Sequence, residues 1–118
     1  VAGVNDVMAI ILLAAKYGVP VCPHGGGIAL CNMIQHYGMW DQIAVTGNSD
    51  TQLVEYIDFL QDAVEHPVEV REGCYVTPTA PGWSLEFRPE FIAQHRYPEG
   101  VQWKDRPTQK KGVQFEAN

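Results

Sequence analysis

The chain has 118 residues, 46% hydrophobic and 19% charged, with 8 Lys and Arg against 14 Asp and Glu for a formal net charge of −6. That balance argues against a nucleic-acid partner, because phosphate neutralisation needs a basic stripe and the one basic cluster is Lys110-Lys111 in a polar tail. The longest apolar run, 7–15, falls far short of the roughly 20 residues of a bilayer-spanning helix, and three cysteines without tight spacing, Cys22, Cys31 and Cys74, read as reduced thiols of a cytosolic or organellar matrix protein.

The chain opens on Val1 inside an apolar, helix-like pattern, so the expectation is a carboxyl-terminal piece of a larger protein. Asn5 stands where an N-cap should, Asp6 complements the helix dipole, and 7–17 is predicted helical before Gly18 closes it. This helix is apolar nearly all round and therefore calls for protein on several sides. Residues 19–22 are predicted as a short, fully buried parallel strand, broken by Pro23-His24-Gly25-Gly26-Gly27. A second helix is expected over 28–37, with Leu30, Ile34 and Tyr37 on one stripe and Gly38 as terminator, then another short strand over 42–46. Helix, strand, glycine-rich loop, helix, strand is a β/α alternation, whose strands should be parallel and whose loops after the strands should carry function.

Beyond Glu65 the texture changes. Segments 68–71 and 74–76 flank Glu72-Gly73 as a hairpin, Pro78, Pro81 and Gly82 break regular structure, Pro89 opens a short helix to about residue 94, and Tyr97-Pro98-Glu99-Gly100 is a turn. The organisation expected is 1–65 as the last β/α units, 66–103 as a returning segment, and 104–118 as a disordered polar tail. Trp40, Trp83 and Trp103 read as packing residues, which requires the late irregular segment to fold back on other structure.

His24 is the strongest single candidate for chemistry. It falls at the carboxyl end of a predicted buried strand, before three glycines whose backbone can approach a ligand closely and whose N–H groups can bind an anion near a helix start. The alternative is a histidine that caps the strand while the glycines make a tight turn. Glu55, in Leu53-Val54-Glu55-Tyr56-Ile57, is either a surface position of a helix or a carboxyl group at the same rim, kept protonated by desolvation so that it donates to a substrate anion. A zinc site from Cys22, His24, Cys31 and His36 is disfavoured. Cys31 and His36 lie about 140° apart around a helix, whereas helical ligand pairs need a spacing of three or four residues. Cys31 as a nucleophile lacks a placed base and reads as core packing.

The residues Gly3-Val4-Asn5-Asp6, then Lys16-Tyr17-Gly18-Val19-Pro20-Val21-Cys22-Pro23-His24-Gly25-Gly26-Gly27, Leu30-Cys31 and Gln35-His36 resemble the seventh β/α unit of the L-fuconate dehydratases of the enolase superfamily. The resemblance runs on through Val54-Glu55-Tyr56-Ile57-Asp58, His66-Pro67-Val68, Pro78-Thr79-Ala80-Pro81-Gly82 and Tyr97-Pro98-Glu99-Gly100 with Trp103. It implies an α/β fold, the carboxyl-terminal part of an enolase-type (β/α)7β barrel with a capping domain, and Mg²⁺-dependent dehydration of a sugar acid through an enediolate. His24 aligns with the general acid for the departing hydroxyl, paired in the family with an aspartate on the previous strand. Glu55 aligns with the carboxyl group that hydrogen-bonds the substrate carboxylate, and Gly25 and Gly26 with backbone that lies against the substrate.

The Lys-x-Lys base, the Mg²⁺ ligands and the aspartate partner are expected upstream, so the chain alone should be inactive and should expose apolar faces. The partner implied is a small-molecule sugar acid; homo-oligomerisation of the parent is left open, as are a different aldonate, a racemase and a non-catalytic homologue. Asn32 stands where relatives commonly carry an acidic residue, Ala2 where they carry glycine, and Gly25 where alanine is common.

Overall fold

The computed structural model describes residues 3–48, 50, 52–58 and 61–104. They fall into two compact units divided between Arg88 and Pro89. The first begins with α1 (Val4–Lys16), with Asp6 in its first turn and Lys16 in its last, the polarity the helix dipole favours. Gly18, at φ 66°, lets the chain reverse while Gly18 N–H bonds Ala15 O (3.1 Å) and Val19 N–H bonds Ala14 O (2.9 Å), a Schellman closure. The start differs from expectation. Gly3 is the N-cap and Asn5 lies inside the first turn, where its side chain makes no cap.

Residues 19–22 form no strand. They run as irregular backbone in which Val19 is exposed, and the described residues tie this stretch to 52–58 through Glu55 N–H to Pro23 O at 3.3 Å. A strand needs a run of ladder bonds to a neighbour, and one such bond does not make a ladder. The second helix, α2 (Leu30–Trp40), carries Ile34 and Tyr37 into a core with Ile11 of α1, against which Val21, Leu30, Val45 and Val54 pack. Gly38 does not end it. A Cβ there would come 2.7 Å from Val54 Cγ2, so this glycine is a point of close approach between helix and neighbouring chain.

Helical backbone then continues as a π-helical turn, Asp41–Thr46, closed by Gly47 at φ 63°. The strand expected over 42–46 is therefore corrected. Its β-branched Ile43, Val45 and Thr46 suggest a strand by propensity, but Val45 docks on the α1 and α2 core from a helical turn, and packing overrides propensity. Buried Asp41 accepts from Gln52 Nε2 at 2.8 Å, which fastens this turn to the start of 52–58.

The sheet that forms is a hairpin of β1 (Val70–Arg71) and β2 (Cys74–Tyr75), antiparallel with Val70 opposite Tyr75 and Arg71 opposite Cys74. Glu72 (φ 51°) and Gly73 (φ 79°) supply the two left-handed residues of a type I′ turn, as the sequence predicts. The irregular stretch after it returns to α2. Asn32 Nδ2 donates to His66 O (2.8 Å) and Ser84 O (2.9 Å), and Trp83 meets His36 and Tyr37 edge-on at 5.2 and 5.8 Å. Glu65 N–H to Glu86 O (2.8 Å) and Arg88 N–H to Ala63 O (3.0 Å) complete the return.

The second unit holds α3 (Pro89–His95) and α4 (Val101–Lys104), joined by a turn in which Gly100 N–H bonds Arg96 O at 2.7 Å. Trp103 Nε1 donates to His95 O at 2.5 Å, so this tryptophan closes the unit on itself. Lys104, placed in the polar tail by sequence, is helical, and 105–118 lie outside the described residues.

Candidate functional site

Pro23 to Gly27 cross from the irregular 19–22 stretch to the start of α2, and residues 52–58 pass beside them. This crossing brings together His24 and Glu55, 31 positions apart in sequence. His24 Nδ1 lies 2.7 Å from Glu55 Oε2, and Gly25 N–H donates to the same oxygen at 2.5 Å. One carboxylate oxygen thus receives two donors, while the imidazole is 76% exposed and the carboxylate 39%. Exposure of this degree makes the pair a weak contributor to stability. It orients the imidazole in a particular direction.

The glycines act by being small. Gly25 is buried, and a Cβ on it would press Glu55 O at 3.1 Å and the side chains of Cys31 and Ile34 at 3.2 Å. A Cβ on Gly26 would fall 2.3 Å from His24 Cε1 and 2.4 Å from Nε2, so the His24 ring occupies the space a side chain at position 26 would need. The run Gly25-Gly26 therefore serves two needs, an N–H for the carboxylate and room for the ring.

The Gly25 N–H bond is the largest influence on Glu55 and holds its carboxyl below the ordinary 4.5, reinforced by His24 and opposed by partial desolvation. Glu55 is consequently ionised in the substrate-free chain. The sequence-based expectation of a carboxyl group kept protonated by desolvation is corrected here, because two donors on one oxygen outweigh the burial of a side chain this exposed.

Contacts from Cys31 and Tyr75 fix the backbone around Glu55. Cys31, buried on α2, takes Ile57 N–H on its sulfur at 3.4 Å and points its thiol at the carbonyls of Gly25 (3.9 Å) and Ile57 (3.8 Å). The packing role read from sequence fits this setting. Tyr75 Oη donates to Glu55 O at 2.5 Å from the hairpin, a contact that sequence reasoning missed since no spacing links positions 55 and 75. Burial pushes the Tyr75 phenol well above its ordinary value, so it stays a donor. Among the described residues no three His, Cys, Asp or Glu side chains come together to hold a metal ion. A cavity of about 320 Å³ opens beside Asn32, His66 and Ser84 and another of about 390 Å³ beside His66, Trp83 and Ser84, and neither is lined by His24 or Glu55.

The chain is similar to several known proteins. The chain is 39% identical over 108 residues to mitochondrial enolase superfamily member 1 of Xenopus laevis, 92% of this chain and 24% of that protein. It is 41% identical over 103 residues to an L-galactonate dehydratase of Hypocrea jecorina, 86% of this chain and 22% of the relative. A crystal structure of human mitochondrial enolase superfamily member 1 superposes with a TM-score of 0.83 at 36% identity, covering 91% of this chain and 24% of that one. The chain thus spans about a quarter of the length of the relatives it matches. The model of the enolase C-terminal domain-like family matches residues 1–91. With a family match over most of its length and a solved relative of the same fold, the chain belongs to the enolase C-terminal domain-like family.

Proposed function

We propose that this chain supplies the acid and carboxylate-binding end of a sugar-acid dehydratase, working as part of an assembled enolase-superfamily barrel. The observation that carries the reading is the joining of His24, Glu55 and Gly25 N–H around one oxygen within 2.7 Å. Relatives named for the superfamily and for L-galactonate dehydration support the reaction class.

In this reading a base elsewhere in the barrel removes the proton alpha to the substrate carboxylate, and protonated His24 gives its proton to the departing beta-hydroxyl, which leaves as water. Glu55 receives the substrate carboxylate, which lies against the Gly25-Gly26 backbone. Glu55 is ionised beforehand, so the incoming like charge pushes its carboxyl upward, it takes a proton from solvent as substrate binds, and the donor role begins there. Mg²⁺, which enolase-superfamily members generally use, would be held by residues outside this chain and would stabilise the enediolate charge.

L-fuconate is the substrate proposed first. L-galactonate, named for one relative, differs from it only in bearing a hydroxyl at C6 and is the second. The mitochondrion, in the name of several relatives, is the compartment proposed with them, and Cys22, Cys31 and Cys74 are all free thiols. No helix among the described residues is long and apolar enough to cross a membrane.

The test is His24→Asn in the assembled barrel, assayed with both acids in D₂O. Dehydration is expected to fall by about 100-fold or more while deuterium still enters recovered substrate, because a separate base handles the alpha proton. Dehydration at the wild-type rate would remove His24 from the reaction.

A further inference from the structure

The His24–Glu55 pair depends on where the main chain at residue 55 sits, and that main chain is held from both sides. Its N–H reaches Pro23 O at 3.3 Å, and its carbonyl receives the hydroxyl of Tyr75 at 2.5 Å from β2. Two residues on, Ile57 N–H rests on Cys31 Sγ. Tyr75 is itself braced, its ring meeting Tyr56 edge-on at 6.0 Å in a half-buried position. The hairpin that carries it is built by an I′ turn, the connection with the least freedom in its register. Among the described residues the titratable groups packed about Glu55 are His24 on the loop, Cys31 on α2, Tyr56 beside it and Tyr75 on β2.

We infer that Tyr75 is a positioning residue for the reaction: its hydroxyl fixes the Glu55 backbone so that Oε2 meets Gly25 N–H and His24 Nδ1 together. The catalytic half of this inference rests on the dehydratase reading. The positioning half does not, because the geometry exists without substrate. A carboxylate serving two donors at 2.5 and 2.7 Å has little latitude, and displacement of the backbone that carries it separates both.

The experiment compares wild type, Tyr75→Phe and Tyr75→Leu in the assembled barrel, reading thermal midpoint, kcat, KM and the pH at which the Glu55 carboxyl carbon titrates by NMR. Tyr75→Phe keeps the ring against Tyr56 and should keep the thermal midpoint. Its kcat should fall roughly 10- to 100-fold with KM little changed, and Glu55 should titrate at higher pH as its donors loosen. Tyr75→Leu, which also removes the ring, should lower the thermal midpoint and move the Glu55 titration at least as far. A Glu55 titration in Tyr75→Phe identical to wild type would overturn the inference, whatever happens to kcat. Wild type without sugar-acid turnover but with a Tyr75-dependent Glu55 titration would leave positioning standing and sink the dehydratase reading.

Discussion

At the scale of the residue, one oxygen of Glu55 organises the site, and what surrounds it decides which changes matter. Gly26→Ala puts a methyl group into the space of the His24 ring. The ring is mostly exposed and can swing away at little cost in stability. On the proposed dehydratase reading, the thermal midpoint of the assembled barrel should hold while dehydration falls at least about tenfold, since a misplaced acid would lose its line to the leaving group. An equal loss of stability and activity would argue that Gly26 serves the fold alone. The pH dependence has a definite sign. Glu55 is lowered from 4.5, so the stabilisation it brings is fully present above 4.5 and is lost as pH falls through the lowered value. The stability difference between wild type and Glu55→Ala, followed by urea unfolding, should be flat above pH 4.5 and shrink below it. Asn32 suits its place through its amide, which donates to two carbonyls, His66 O and Ser84 O; an ionised carboxylate has no proton for either.

Among the elements, α2 is the platform, since the core, the glycine loop, Cys31 and Asn32 all meet on it. Gly38→Ala sets two magnitudes against each other. Alanine gains about 1 kcal/mol of helix propensity, but overpacking against a stiff β-branched neighbour costs about 1–3 kcal/mol, and the added Cβ would sit 2.7 Å from Val54 Cγ2. A net loss of stability is expected in urea unfolding of the assembled barrel, with recovery in the Gly38→Ala, Val54→Ala double variant. If the double variant is no better than the single, the close approach is not the cause. Local signals make α1, α2 and α3 legible in sequence, as with Gly18, Pro89 and the Ile34 and Tyr37 stripe, and the hairpin is legible from Glu72-Gly73, while the short α4 carries no such signal. The π-helical turn was not, because Ile43, Val45 and Thr46 carry strand propensity and Gly38 imitates a stop; only the contact with Val54 explains why a glycine stands in mid-helix. His24 and Gly25-Gly26 were legible because a glycine run marks a close approach. Tyr75 was not, because its hydroxyl donates to a main-chain atom, a contact that leaves no mark on side-chain pattern.

For the whole molecule, α1 sets the terms. Ile10, Leu12 and Leu13 on this helix are 44–57% exposed, and Ile43 and Leu53 are more exposed still. Faces of this kind need cover, and the rest of an enolase-superfamily barrel is the cover we propose. The isolated 118 residues should therefore melt broadly and bind an apolar dye; a sharp, cooperative transition would contradict this. Cys31 offers a finer measure. Its sulfur is sealed between α2 and the Glu55 stretch at 1% exposure, while Cys22 and Cys74 are open. A thiol reagent reaches it only when that stretch lifts, so the lag between the first two labels and the third is a clock for how often the His24–Glu55 pair comes apart.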